Sequence, residues 1–156
     1  KEIISFCEHA GWVTSLAISK DGRLLASGSK DKSVKIWNLS NGSKVKDIKI
    51  YNGGINSIEF IDDDKYIAIA GMDGTLRIID SNDGKEAICF AEFLDGEWAA
   101  ISVYGFYNAS SKGDKWINAK KGSNIVNISE LKMSLYKPDF FKKIFEGQKI
   151  WENLAN

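Results

Sequence analysis

The side chains that could perform chemistry are few, and the single histidine, His9, is the first of them. A histidine serves as a metal ligand or a general base, but both roles need partners, such as further ligands or a nucleophile with an orienting carboxylate. The chain has no second histidine, and its two cysteines, Cys7 and Cys89, lie far apart in the sequence. The sequence therefore predicts a protein that is not an enzyme and that binds no metal and no cofactor.

Two other stretches approach known ligand-binding motifs without matching them. Asp62, Asp63 and Asp64 offer three carboxylates to a calcium ion, yet they align with residues 20–22, a tight-turn sequence, which favours a solvated turn. Residues 28–30, Gly-Ser-Lys, lack the spacing of a phosphate-binding loop, and no helical pattern follows them. Neither stretch is predicted to be a ligand site.

The residues around His9 belong to a series of short strands. Apolar and polar side chains alternate through residues 13–19 and 34–39, as they do in half-buried strands. Residues 24–29 and 44–51 are predicted as the strands that return after the first and third turns. Asp21-Gly22, residues 28–33 and Asn41-Gly42 supply the turns between them. Four short antiparallel strands with turns at roughly ten-residue spacing predict an all-β fold built from propeller blades.

The four-strand unit is then repeated. Shifting the sequence by 42 residues places residues 51–86 on residues 9–44 without a gap. Identical residues occur at Gly11/Gly53, Ser15/Ser57, Asp21/Asp63, Ala26/Ala68, Asp31/Asp73, Ile36/Ile78 and Gly42/Gly84. This period lies within the roughly 40–45 residues of a WD40 blade. The sequence therefore indicates a duplicated blade.

The first copy resembles a WD40 repeat. The resemblance is carried by His9, residues 21–29 (DGRLLASGS), Asp31 and residues 34–38 (VKIWN). It implies a buried hydrogen-bonded network of His9, Ser27, Asp31 and Trp37. Imidazole and indole N–H groups are suitable donors to a desolvated carboxylate.

Some positions depart from the family pattern. Glu8 stands where the family has a glycine, and Asn38 replaces its final aspartate. In the second copy Tyr51, Ile69 and Ile79 replace the histidine, serine and tryptophan, and only the aspartate, Asp73, is kept. We therefore expect the second blade to depend on packing rather than on a polar network.

The resemblance also implies a partner-binding face. In WD40 proteins, partners bind where loops enter each first strand and where the second and third strands are joined. The matching positions are Trp12, Thr14 and Lys30 in the first copy and Asn56 and Met72 in the second. An exposed indole is a favoured interface anchor, although Trp12 packed against a neighbouring blade is an equally good interpretation.

The remaining segments are assigned by pattern. Residues 1–92 are predicted to form two blades preceded by an outer strand at residues 1–7, which match residues 85–91. Residues 93–128 are predicted to form a degenerate third blade, similar to a unit at the end of bacterial WD40 proteins. Residues 129–156 are predicted to be helical, with Pro138 opening a helix whose apolar stripe includes Phe140, Ile144, Trp151 and Leu154. A shorter helix is expected at residues 130–136. The expected fold is thus a partial propeller of about three blades with short C-terminal helices.

Composition restricts the partners and the cellular compartment that we expect for the protein. The formal net charge is +0, which gives no reason to expect nucleic acid or an anionic membrane as a partner. No charged-then-apolar leader and no membrane-spanning run is evident. Two cysteines on strands of different blades are expected to be free thiols, which favours the cytoplasm.

These observations predict a non-catalytic scaffold that holds a protein or peptide on a propeller face. The alternative is a regulatory or sensor portion of a larger enzyme, a caspase-like peptidase or an NTPase, which the full reading frame would reveal. Two or three blades leave sheet edges and faces uncovered. The chain is therefore expected to belong to a larger propeller, to be capped by its helices, or to self-associate through the first strand of one copy and the last blade of another.

Overall fold

The structure of this protein, a computed structural model, describes residues 4–49, 52–121, 124–139 and 141. It divides into two compact units, residues 1–87 and residues 88–156.

The first unit begins with a four-stranded antiparallel sheet in the order β1-β2-β3-β4. Its strands are β1 (Val13–Ile18), β2 (Leu24–Ser29), β3 (Val34–Asn38) and β4 (Lys44–Ile48). They coincide with the four predicted strands, so the predicted blade is confirmed. The turns use glycines with positive φ at Gly22 and Gly42, a conformation that glycine adopts without steric cost.

The second repeat folds in the same way. β5 (Ile55–Ile61), β6 (Tyr66–Gly71) and β7 (Thr75–Asp80) pair antiparallel in sequence order, and β8 (Glu86–Glu92) follows after a short turn. The pairing of β1 with β2 shifts register between Val13 and Ser15, and that of β5 with β6 shifts between Ile55 and Ser57. The two bulges are 42 residues apart, which confirms the duplication in three dimensions.

An aliphatic core joins the two blades of the first unit. It contains Ala26, Val34, Ile36 and Ile48 from the first blade and Ile55, Ile58, Ile67, Ile69 and Ile79 from the second. Gly28 lies where the blades approach most closely, because a Cβ at that position would be 2.5 Å from Ile55 Cγ2. The approach of the blades therefore requires glycine at position 28.

The predicted outer strand at residues 1–7 is wrong for the part that the structure describes. Residues 4–7 form no strand. Instead, the Phe6 ring packs on the Trp37 ring with centroids 5.0 Å apart. Ile4 Cγ2 would be 2.9 Å from a Cβ on Gly42, so this segment lies along the first blade. Burial of an aromatic ring on Trp37 takes the place of the expected strand pairing.

The second unit contains the continuation of β8 and four further strands. β9 (Trp98–Ser102) and β10 (Tyr107–Ala109) pair in the order β8-β9-β10, whereas β11 (Asn118–Lys121) and β12 (Asn124–Asn127) form a separate hairpin. A 3₁₀ helix at Gly113–Trp116 separates β10 from β11. The strands β9 to β12 do not form one four-stranded sheet, and a third blade at residues 93–128 stays a prediction.

Short helices follow β12. A 3₁₀ helix at Ile128–Leu131 leads into α1 (Lys132–Leu135), near the predicted short helix at residues 130–136. Pro138, Asp139 and Phe141 are helical, and Phe141 is buried. The rest of the predicted apolar stripe, including Phe140, Ile144, Trp151 and Leu154, lies outside the described residues. A small core of Ala99, Tyr107, Ile117 and Ile128 holds this unit together.

Candidate functional site

A hydrogen-bonded chain runs through the interior of the first blade. His9 Nδ1 lies 2.9 Å from Asp31 Oδ2, and His9 Nε2 lies 2.8 Å from Ser27 Oγ. The indole Nε1–H of Trp37 donates to the same Ser27 oxygen at 2.8 Å. The structure thus brings together the four residues that the family resemblance linked, and β2 and β3 hold Ser27 and Trp37 on the same face of the sheet.

Two donors of this chain meet on the Ser27 hydroxyl or lie beside it. Trp37 can only donate, so Ser27 Oγ accepts from its indole N–H. Both ring nitrogens of His9 and the Asp31 carboxylate have hydrogen-bond partners within the blade, so these contacts give the network a structural role.

Asp31 receives more hydrogen bonds than His9 alone supplies. Burial by itself would raise the pKa of the Asp31 carboxyl, but the Ser33 hydroxyl, His9 and the backbone N–H groups of Ala10 and Ser33 all stabilise the charged form. Their combined effect holds the pKa of Asp31 well below its ordinary value. The carboxylate therefore stays ionised and fixes the turn between β2 and β3.

The second blade replaces this network with an ion pair, which the sequence reasoning missed. Arg77 Nη2 lies 3.6 Å from Asp73 Oδ2, and Arg77 Nη1 donates to Glu86 Oε2 at 2.6 Å. The Thr75 hydroxyl and N–H also donate to Asp73. Despite the opposing effect of burial, these contacts lower the pKa of Asp73. The expectation that this blade depends on packing alone is therefore wrong.

A signal for the replacement was present in the sequence. Arg77 occupies the repeat position of Lys35, and both are basic. In the first blade Lys35 bonds to Asp47 on β4 at 2.5 Å, since His9 already satisfies Asp31. In the second blade, which lacks the histidine, the guanidinium of Arg77 reaches both Asp73 and Glu86, the first residue of β8.

Three of the five predicted partner-binding residues form one exposed surface, which we call the loop surface: Trp12, Lys30 and Met72. Trp12 is 76% exposed, and the Lys30 ammonium lies 4.7 Å from the centroid of its ring. The Lys30 N–H donates to the Trp12 carbonyl at 2.9 Å, so the two loops are tied together through their backbones. The indole is therefore not packed against the second blade of this unit.

Met72 joins this surface through Gly54. The Met72 N–H donates to the Gly54 carbonyl at 2.7 Å, the same contact that Lys30 and Trp12 make in the first repeat. A Cβ on Gly54 would be 3.0 Å from Lys30 Cα and 3.1 Å from Met72 Sδ. Glycine at this position lets the loops of the two blades meet, and Met72 is exposed beside them.

The other two predicted residues, Thr14 and Asn56, are the extra residues of the two β-bulges. Thr14 Oγ1 donates to the carbonyl of Ile55 in the next blade at 2.6 Å. Its hydroxyl therefore helps to hold the blades together. Asn56 occupies the same position in the second repeat, and its side chain is exposed.

The acidic stretch at residues 62–64 forms a turn, as predicted. All three aspartates have positive φ, between 49° and 67°. Asp64 accepts the Lys20 N–H at 2.8 Å, and Asp63 accepts from the Lys20 ammonium at 2.5 Å. Among the described residues, no group of three or more His, Cys, Asp or Glu side chains is placed to hold a metal ion. The turn thus joins the ends of the two blades.

The described helices include none that is long and apolar enough to cross a lipid bilayer.

Comparison with known families supports the repeat assignment. The family model "WD domain, G-beta repeat" matches residues 1–38 and 42–80. The small ribosomal subunit protein RACK1y of Oryza sativa subsp. japonica is 35% identical over 79 residues, which are 49% of this chain and 24% of that protein. The periodic tryptophan protein 2 homologue of Schizosaccharomyces pombe is 36% identical over 78 residues, or 50% of this chain and 9% of that protein.

The chain thus spans a quarter or less of these two relatives. Both are eukaryotic, so they do not support the bacterial affinity expected from residues 93–128. Among solved structures, the computationally designed Ika4 protein matches 81% of this chain and 90% of its own chain. Its TM-score is 0.53 and its sequence identity 20%, a likeness that concerns the fold alone.

Proposed function

Because the chain belongs to the WD40 repeat family through residues 1–38 and 42–80, we propose that it is a non-catalytic scaffold that binds a protein or peptide on its loop surface. The observation that carries the proposal is the exposure of Trp12 beside Lys30 and Met72. Large exposed side chains on loops held by a rigid sheet are a typical recognition surface.

The chemistry of the loop surface suits a peptide. Tryptophan offers a wide apolar plane, methionine adapts its shape to different partners, and the Lys30 ammonium supplies a positive charge at the edge. Asn56 contributes an exposed side-chain amide on β5. In this proposal Thr14 supports the surface from below by holding the blades together.

The proposal also includes the class of partner and the cellular compartment. The formal net charge of +0 favours a protein partner over nucleic acid or a membrane surface. Neither Cys7 nor Cys89 is in a disulfide, which suits the reducing cytoplasm. The rice relative is named as a small ribosomal subunit protein, which agrees with a role in holding other proteins. We also propose that this chain either self-associates or forms part of a larger propeller.

A peptide library displayed on phage and selected on the full chain tests the scaffold role. Selected peptides should bind the wild type and lose at least roughly tenfold in affinity for Trp12→Ala, as expected when an interface tryptophan is truncated. Trp116→Ala, which removes another exposed tryptophan from the second unit, is the matched control and should leave binding unchanged. Selected peptides that bind Trp12→Ala as well as wild type would exclude Trp12 from the site, and a selection that yields no binders would contradict the proposal.

A further inference from the structure

A cavity of about 280 Å³, which we call the β4 cavity, opens in the first unit between β4 and the turn before β8. It is lined by Lys46, Asp47, Ile48 and Lys49 on one side and by Asp83 and Gly84 on the other. A space of this size suits a small ligand, since sites for drug-sized molecules occupy about 300–1,000 Å³. None of its lining residues belongs to the loop surface.

The repeat shows which contact contains the cavity. Gly42 and Gly84 are equivalent turn glycines, 42 residues apart. A Cβ on Gly42 would be 2.9 Å from Ile4 Cγ2, and a Cβ on Gly84 would be 3.4 Å from Lys46 Cδ. Lys46 therefore takes the place of Ile4, which stands 42 positions before it.

Smaller side chains account for the volume of the cavity. Beside the first blade, the Phe6 ring packs on the Trp37 ring with centroids 5.0 Å apart. The residues 42 positions later are Ile48 and Ile79, which are both buried. Two aromatic rings are thus replaced by two smaller aliphatic side chains. Because protein interiors are otherwise close-packed, the lost volume explains the cavity beside Ile48.

The charges that line the cavity are specific to this contact. Each charged lining residue stands where the equivalent position, 42 residues earlier, is uncharged. The equivalent pairs are Ile4/Lys46, Ser5/Asp47, Cys7/Lys49 and Asn41/Asp83. The charged lining is therefore a property of this one contact and not of the repeat in general.

The two carboxylates of the cavity are paired with lysines of this chain. Asp47 Oδ2 accepts the buried Lys35 ammonium at 2.5 Å, and the Lys85 ammonium lies 3.1 Å from Asp83 Oδ2. The hydrogen bond from Lys35 holds the pKa of Asp47 below its ordinary value, and the Lys85 N–H does the same for Asp83. Both carboxylates are thus ionised and already neutralised by cations.

The two lysines of the cavity are not paired in this way. Within the part of the chain that the structure describes, neither the Lys46 nor the Lys49 ammonium forms a hydrogen bond or an ion pair. The four lining charges and their ion-pair partners together comprise five ammonium groups and three carboxylates, the partners being Lys35, Lys44, Lys85 and Glu8. The excess of two positive charges favours an anion.

We propose that the β4 cavity binds a phosphate group through the ammonium groups of Lys46 and Lys49. A phosphate group carries about two negative charges near neutral pH and has several acceptor oxygens, so it can accept from both ammonium groups at once. A carboxylate carries one negative charge and matches the excess of two less well. The phosphate group belongs either to inorganic phosphate or to a phosphorylated side chain of another protein. This inference does not depend on the scaffold role proposed above.

Titration of the full chain with sodium phosphate, followed by NMR of the backbone amides, tests the proposal. We expect saturable shifts of the signals of residues 46–49, 83 and 84 that sodium chloride at equal ionic strength does not produce. Lys46→Ile should weaken binding roughly tenfold or more, the loss expected when a hydrogen bond to a charged group is removed. Isoleucine stands at the equivalent position 4, so this variant should fold. Lys112→Ile, the same change at an exposed lysine of the second unit, should leave binding unchanged.

A second variant tests the cavity apart from its charge. Ile48→Phe introduces the ring that stands at the equivalent position 6 and should fill the space between the lysines and the turn. Phosphate binding should then be lost although both ammonium groups remain. Circular dichroism of each variant verifies that the blades are folded.

A short peptide that carries one phosphoserine separates the two sources of phosphate. Tighter binding of this peptide than of inorganic phosphate supports a phosphorylated protein as the ligand, and equal or weaker binding supports the free anion. The proposal is overturned if neither probe gives saturable shifts or if sodium chloride produces the same shifts. Binding that survives Lys46→Ile or Ile48→Phe at wild-type affinity would overturn it as well.

Discussion

His9 and Trp37 meet on a single atom, since the imidazole Nε2 and the indole Nε1 each lie 2.8 Å from Ser27 Oγ. One hydroxyl thus connects a loop residue that precedes β1 with a residue in the middle of β3. In the second repeat Ile69 occupies the position of Ser27, and no such connection is possible. The two blades therefore stabilise equivalent turn aspartates by different chemistry.

The shared oxygen predicts the effect of Ser27→Ala. The substitution leaves the indole N–H and the imidazole Nε2 without their shared partner in a buried site, so the free energy of unfolding should fall by about 1–3 kcal/mol. Urea denaturation followed by circular dichroism measures this loss. Ser111→Ala, at an exposed position, is the control and should leave the midpoint unchanged. An equal midpoint for Ser27→Ala and wild type would show that the network contributes nothing to stability.

Asp31 predicts a dependence of stability on pH. Its pKa is lower in the folded protein than in the unfolded chain, so the stability it contributes is complete above the ordinary carboxyl pKa and is lost as pH falls toward the folded value. The difference in unfolding free energy between wild type and Asp31→Asn should be largest near neutral pH. It should shrink below about pH 4. Thermal melts across this range measure it. A difference that does not change with pH would contradict the assignment.

Gly28 predicts a steric effect at the contact between the blades. Gly28→Ala places a methyl group 2.5 Å from Ile55 Cγ2 and should destabilise the first unit by about 1–3 kcal/mol, because neither sheet can move aside freely. Ile55→Ala alone should also destabilise the protein by leaving a cavity. If the clash is the cause, the double variant is more stable than the sum of the two losses predicts. Additive losses in the urea midpoints would rule out a direct contact.

Arg77 predicts that the second blade depends on its ion pairs. Arg77→Met should lower the free energy of unfolding by about 1–3 kcal/mol, since Asp73 and Glu86 lose their shared cation. Arg77→Lys should retain part of the stability, because lysine stands at this repeat position in the first blade. Adding Asp73→Asn to Arg77→Met should recover part of the loss, as it removes an uncompensated buried charge. Equal urea midpoints for Arg77→Met and wild type would contradict this role.

The features that the sequence predicted correctly are those determined by local pattern or by the repeat. Alternation in residues 13–39 and the glycine turns defined β1 to β3, and the 42-residue shift extended them to β5, β6 and β7. The partners of His9 followed from the resemblance to WD40 repeats. Trp12, Lys30 and Met72 lie together because equivalent loops of adjacent repeats meet at one end of the sheets, while their role in binding stays a prediction.

The features that the sequence could not predict depend on contacts between distant segments. Residues 1–7 were predicted as a strand from their match to residues 85–91, yet residues 4–7 form no strand and Phe6 packs on Trp37. A third blade was predicted within residues 93–128, whereas the structure pairs β9 of that segment with β8 of the second repeat. The role of Arg77 was hidden because the equivalent Lys35 bonds to a different carboxylate.

The bulges at Thr14 and Asn56 have a consequence for how such a protein lengthens during evolution. The first repeat supplies the donating side chain, Thr14, and the second supplies the accepting carbonyl, Ile55, and each repeat has a residue at both positions. Duplication of one 42-residue gene segment therefore inserts a complete module with both connections already matched. Growth of the array needs no compensating mutation elsewhere, whereas a duplication cut inside a blade would separate the two sides of the joint and add nothing that could attach.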